Sequence, residues 1–172
     1  PWQGLDYFSA AIELARERAP DIRFVLAVNQ LSEAVPEGPN VEVFQGLNRE
    51  EILDAICASD ACVALHPEYF WSPYRFHGSP MKLFEYMACG TAVVTSNRGQ
   101  MAELIEHGEN GLLCSDSQDD ILSQLIKLKD DPEFREGVGI SGWNMIQQDK
   151  SWSNNVAKTL EVFTVALEER RT

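Results

Sequence analysis

Three short runs, FVLAV at 24–28, ACVAL at 61–65 and TAVV at 91–94, are apolar without alternation. A strand with one wet face alternates apolar and polar residues. A run that is apolar throughout is covered on both faces, as in a parallel sheet sandwiched between helices. The runs sit within expected strands at 22–29, 61–66 and 91–96. "VEVFQG" at 41–46 and "NGLLC" at 110–114 supply two more. Helical patterns fall between them. Residues 5–19 place Leu5, Phe8, Ile12 and Ala15 on one face. Asn48 is an N-cap for a helix over 49–58. Ser79 and Pro80 read as N-cap and first position of a helix over 80–89, stopped by Gly90. A short helix is expected near 100–107.

The remainder is helical. Ser117 with Asp120 makes a capping-box-like start, and Ile121, Leu122, Leu125 and Leu128 form a stripe. Asp131-Pro132 opens another helix, expected to be weakened by Gly137, Gly139 and Gly142. The last helix, about 153–169, carries Val156, Leu160, Phe163 and Leu167 on one face. The expectation is an α/β fold with a doubly wound, Rossmann-like parallel sheet, residues 1–172 forming one domain with the helices of 117–169 packed on it. "PWQG" at the start reads as the turn after a strand. A first strand is therefore expected from residues outside this chain, which opens on Pro rather than Met and reads as a fragment.

Composition excludes several partners. With 14 Lys+Arg against 27 Asp+Glu the net charge is −13, which opposes non-specific nucleic-acid binding and attraction to an anionic membrane. Backbone N–H groups with one or two cations still suffice for a phosphate. Cys57, Cys62, Cys89 and Cys114 show no CxxC spacing and are expected as buried reduced thiols of a cytosolic protein. His66, His77 and His107 are scattered and suggest no metal cluster. No apolar run approaches the ~20 residues of a membrane span.

Ligands of doubly wound sheets bind at the carboxyl ends of the strands, here the loops after Asn29, Gln45 and Leu65. The third, "PEYFWSPYRFHG", runs into the helix that starts near Pro80, whose free N–H groups make an anion site. Gly78 permits close approach to the backbone. Glu85 lies five residues past Pro80, where its carboxylate reaches the hydroxyls of a ribose. The competing reading has Glu85 facing solvent or pairing with Lys82. The aromatics Tyr69, Phe70, Trp71, Tyr74 and Phe76 either stack on a sugar or base or cover the sheet edge.

"GSPMKLFEYMACGTAVVTS", followed by "MAELIEHGENGLLC", and "VEVFQGLNREEILDAICASDACVAL" before it, resemble the donor-binding half of the group 1 (GT4-like) glycosyltransferases of the GT-B fold. The resemblance covers nearly the whole chain. It implies the C-terminal domain of a two-domain, retaining, metal-independent hexosyltransferase without a cofactor, using a UDP-, GDP- or ADP-sugar. It further implies a glycan or lipid-linked acceptor, and an N-terminal acceptor domain absent here. The setting would be cytoplasmic polysaccharide biosynthesis, with membrane association only through the absent domain. Residue by residue, Glu85 takes the ribose-binding position. Met81 and Lys82 take the diphosphate-facing helix start. Gly78 and Ser79 pass the donor sugar, and Leu47 takes the base-reading backbone position. Glu103 is a core-helix position. Two departures stand out: His77 replaces the first glutamate of a Glu-x7-Glu pair, and Gln3-Gly4 replaces a Lys-Gly. His77 and Lys82 then become the catalytic candidates, with Arg75 and Arg98 as further cations near the phosphates. The alternative is a non-catalytic nucleotide-binding module or degenerate transferase subunit.

Overall fold

The computed structural model describes residues 4–69 and 80–169. Its elements alternate as expected: α1 (Leu5–Arg18), β1 (Phe24–Val28), β2 (Val41–Gln45), α2 (Arg49–Ala58), β3 (Ala61–Ala64), α3 (Met81–Ala88), β4 (Ala92–Ser96), α4 (Gly99–Leu104), β5 (Leu112–Cys114), α5 (Gln118–Asp130), α6 (Pro132–Asp149) and α7 (Trp152–Glu169). Every described strand pair is parallel. The strands form two sheets rather than one, β1-β2 and β3-β4-β5.

β4 shows why the fold is doubly wound. All five of its residues are buried. Val93 packs with Leu83, Met87, Met101 and Ile146 on one face. Its neighbour Val94 packs with Ile12, Leu112, Leu122 and Leu128 on the other. The period-2 pleat sends consecutive side chains into two separate cores, so neither valine can be polar. Thr95 is tolerated because its hydroxyl donates to the Ala64 carbonyl at 2.7 Å.

Most helix ends form as the sequence suggests. Asn48 accepts from the N–H groups of Glu50 and Glu51 while Glu51 accepts from the Asn48 N–H, a complete capping box. Asp131 caps α6, with Pro132 at its first position. At α5 only half of the expected box exists. Ser117 accepts from the Asp120 N–H, but the Asp120 carboxylate takes the Ser115 N–H instead.

Several expectations are corrected. α3 begins at Met81 with Pro80 as its N-cap. α4 ends at Leu104 because the chain turns into the His107–Gly111 bridge beside β5. α6 runs unbroken through its three glycines. A Cβ at Gly139 would stand 2.2 Å from the Gly90 carbonyl oxygen, and one at Gly142 would lie 3.1 Å from the Asn110 carbonyl oxygen. These glycines let α6 lie against the turns before β4 and β5. Cys57 is exposed, contrary to expectation, while Cys62 and Cys114 are buried; all four thiols are free. The apolar face of α7 stands in solvent, with Val156, Leu160, Phe163 and Leu167 all more than half exposed. Among the described residues no helix is long and apolar enough to cross a membrane.

Candidate functional site at the carboxyl edge

The loops after β3, β4 and β5 meet at one edge. The His66 N–H donates to Ser96 Oγ at 2.8 Å, and Ser96 Oγ in turn donates to the carboxylate of Asp116. Arg98 completes the set. Its Nε donates to Asp116 at 3.0 Å and its other arm reaches Glu68 at 2.7 Å. The bond to Asp116 raises the guanidinium pKa further. Asp116 is 4% exposed and, among the described residues, is the one non-glycine residue with positive φ, 63°. Aspartate tolerates that conformation better than most residues. One buried carboxylate thus ties together the three loops that rim any ligand at this edge. It also commits Arg98, which is not a spare cation for a phosphate.

α3 rises beside these loops. No described side chain caps its N-terminus, and Met81 there is half exposed. Lys82 and Glu85, one turn apart, both line a cavity of about 760 Å³, beside Tyr86. Burial lowers the Lys82 pKa, and the Glu85 charge partly restores it. Burial also lowers the His66 pKa, with Lys82 adding to the fall and Asp116 opposing it. A histidine, a lysine and two carboxylates therefore act on one another at the start of α3. Leu47 is half-buried in the loop after β2, next to Gly46, whose N–H bonds the Val28 carbonyl at 2.9 Å. It does not line the cavity with Lys82 and Glu85.

Of the expected site residues, Lys82 and Glu85 are brought together, with Met81 a turn or less away. His77, Gly78, Ser79 and Arg75 lie outside the described residues, as does Gln3. Of the aromatic loop, Tyr69 is described. Its hydroxyl donates to Asp6 at 2.7 Å and its ring meets Tyr7 edge-on at 5.9 Å. It covers the start of α1. Sequence reasoning missed Asp116, Ser96, Glu68 and His66. The available signal was an arginine directly after a strand, which needs an acid from another loop. Among the described residues no group of three or more His, Cys, Asp or Glu is placed to hold a metal ion.

Parallel strands with a core on each face, loops that meet at their carboxyl edge and a helix start beside them define a Rossmann-like α/β domain. The profile of "Glycosyl transferases group 1" matches residues 1–131, and the chain belongs to that family. It is 30% identical over 96 residues to an uncharacterised glycosyltransferase of Methanocaldococcus jannaschii, a match covering 55% of this chain and 24% of that protein. It is 24% identical to the MMP alpha-(1->4)-mannosyltransferase of Mycolicibacterium hassiacum, over 97% of this chain and 41% of that protein. The chain thus spans less than half the length of these relatives. Among solved structures it resembles the C-terminal domain of a group 1 glycosyl transferase from Francisella tularensis (TM-score 0.68, 19% identity, 88% of this chain and 81% of that one). It also resembles Anabaena HepE, solved in complex with UDP-glucose (TM-score 0.60, 17% identity, 90% of this chain and 53% of that one). These likenesses establish the fold as the C-terminal domain of a GT-B glycosyltransferase.

Proposed function

We propose that residues 1–172 form the donor-binding domain of a retaining, metal-independent glycosyltransferase that takes its sugar from a nucleotide-diphosphate sugar. The observation that carries this reading is the placement of Lys82 in the first turn of α3 and of Glu85 one turn further along, in a helix whose N-terminus no described side chain caps. In this reading the donor diphosphate lies against the start of α3 at Met81. The N–H dipoles and the Lys82 ammonium stabilise the charge that develops on the leaving phosphate. The Glu85 carboxylate accepts hydrogen bonds from the ribose hydroxyls, two donors meeting two oxygens. Gly78, Ser79, Arg75 and His77 approach the sugar and phosphates, and the backbone at Leu47 reads the base. The acceptor, a glycan or lipid-linked glycan, enters from a further domain of the same protein. Membership of the family and the likeness to a fold solved with UDP-glucose support the reading.

Calorimetric titration of the protein with UDP, GDP and ADP tests it, with Glu85→Gln measured alongside. One nucleotide is expected to bind, and the variant to lose about 1–3 kcal/mol, the scale of a hydrogen bond to a charged group. Equal affinity of wild type and variant for the bound nucleotide removes Glu85 from the site. Failure of all three nucleotides to bind removes the donor-domain reading.

A further inference from the structure

Two helices end at the same edge of the three-stranded sheet, and each carries a cysteine at its end. Cys57 lies in the last turn of α2, just before β3 begins at Ala61. Cys89 is the C-cap of α3, just before β4 begins at Ala92. β3 and β4 are parallel neighbours, with Ala61 opposite Ala92. The register therefore brings the two helix ends together at the amino edge of the sheet.

Hydrogen bonds fix this junction on both sides of the cysteines. Ile56, next to Cys57, offers its carbonyl to the Ser59 N–H at 3.1 Å and to the buried Thr91 hydroxyl at 3.0 Å. The Tyr86 carbonyl accepts from the N–H groups of Cys89 and Thr91, both at 3.2 Å. Thr91 thus ties the turn that carries Cys89 to the turn that carries Cys57. The two thiol side chains meet beside this tie and hydrogen-bond one another.

Access separates this pair from the other thiols. Cys57 is exposed and Cys89 half-buried, whereas Cys62 and Cys114 are buried. The reactivity of a thiol follows its exposure and its thiolate fraction. Burial, then the contact with Cys57 and the Glu85 charge, pushes the Cys89 thiol up to about 11. Cys89 is therefore a poor first nucleophile, and Cys57 is the thiol that an oxidant meets.

We propose that Cys57 and Cys89 are a peroxide-sensitive pair that closes into a reversible disulfide between the ends of α2 and α3. A peroxide oxidises the Cys57 thiol to a sulfenic acid and is itself reduced to an alcohol or, for hydrogen peroxide, to water. The Cys89 thiol then gives up its proton, and its sulfur attacks the sulfur of Cys57. The S–S bond forms, the S–O bond breaks and water leaves. In all, two electrons and two protons pass from the pair to the peroxide. The bond joins the ends of a segment that includes β3 and all of α3, so it limits how far α3 can leave the sheet. This inference stands whether or not the domain binds a nucleotide.

Thiol mapping of the full-length protein tests it. The reduced, folded protein is treated at low concentration with a small excess of hydrogen peroxide. It is then alkylated in denaturant without reductant, digested and read by mass spectrometry. The alkylatable thiols among residues 1–172 are expected to fall from four to two. The lost pair is expected as one link within a molecule, between Cys57 and Cys89, that dithiothreitol reverses. Cys62→Ala should keep that link and the exposed-site variant Cys57→Ser should lose it. A link from either residue to Cys62, links only between two molecules, or oxidation of Cys57 that stops at the sulfenic acid overturns the proposal. So does survival of all four thiols.

Discussion

The chain contains two strands that read almost alike, FVLAV in β1 and AVVTS in β4, and the structure treats them differently. All of β4 is buried, whereas β1 alternates, with Val25 47% exposed. The residues do not explain the contrast, because Val25 is as apolar as Val93. The neighbours do. β4 has a strand on each side and helices α3 and α6 against it, while β1 has β2 on one side and a cavity on the other. Strand burial is thus a property of position in the sheet. The half of the fold built on the three-stranded sheet is where single substitutions should cost most. Leu112→Ala in β5, at a site with no exposure, is expected to lose about 2–5 kcal/mol of unfolding free energy in urea titration. A loss below 1 kcal/mol would mean that this half is not the tightly packed one.

The next effect separates two glycines of one helix. Gly139 faces the Gly90 carbonyl at a distance no Cβ can occupy, and Gly137 has nothing within 4 Å. Gly139→Ala should force α6 away from the turn before β4 and cost about 1–3 kcal/mol, the range for overpacking. Gly137→Ala should gain up to about 1 kcal/mol through helix propensity alone. Equal effects of the two, read from thermal unfolding, would dissolve the distinction between a packing glycine and a tolerated one.

This pair also illustrates what the sequence made legible. The element order, the parallel sheet and most helix caps follow from local rules, because a capping residue or an apolar run acts within a few positions. Gly139 reads locally only as a weak helix position. Its role depends on Gly90, 49 residues earlier in the sequence, and no local pattern links them. The candidate site divides in the same way. Lys82 and Glu85 were readable because one helix turn joins them. Asp116, Ser96, Arg98 and Glu68 come from three separate loops, and only the β3-β4-β5 order brings them to one edge. The division of the strands into two sheets was not read from the sequence, because strand pairing joins residues far apart in the chain.

The loop-tying carboxylate gives a third, smaller effect. Asp116→Asn keeps a side chain suited to positive φ and an acceptor for Ser96, and removes only the charge opposite Arg98. Arg98 is 38% exposed, so water screens the pair, and a loss of about 1–2 kcal/mol is expected in denaturant unfolding. No loss would mean that the network is held by its neutral hydrogen bonds alone.

At the start of α3 the pH dependence has a definite sign. Burial holds the Lys82 pKa below its ordinary 10.5 in the free protein. A diphosphate beside it would raise that pKa, so binding takes up a proton. Affinity for the nucleotide should be highest below the free-protein pKa and fall as pH rises through it toward the bound value, by up to about tenfold per pH unit. Titrations at several alkaline pH values should show the fall in the wild type and not in Lys82→Met. A fall that persists in Lys82→Met assigns the proton to another group.

The smallest effect is the most informative about the contrast between β1 and β4. Val25→Ala removes a side chain that is nearly half exposed, so it should cost less than about 1 kcal/mol in chemical unfolding, well below the loss expected for Leu112→Ala. A cost of about 2 kcal/mol or more would mean that Val25 is covered as fully as the valines of β4, and that the contrast between FVLAV and AVVTS does not extend to their energetics.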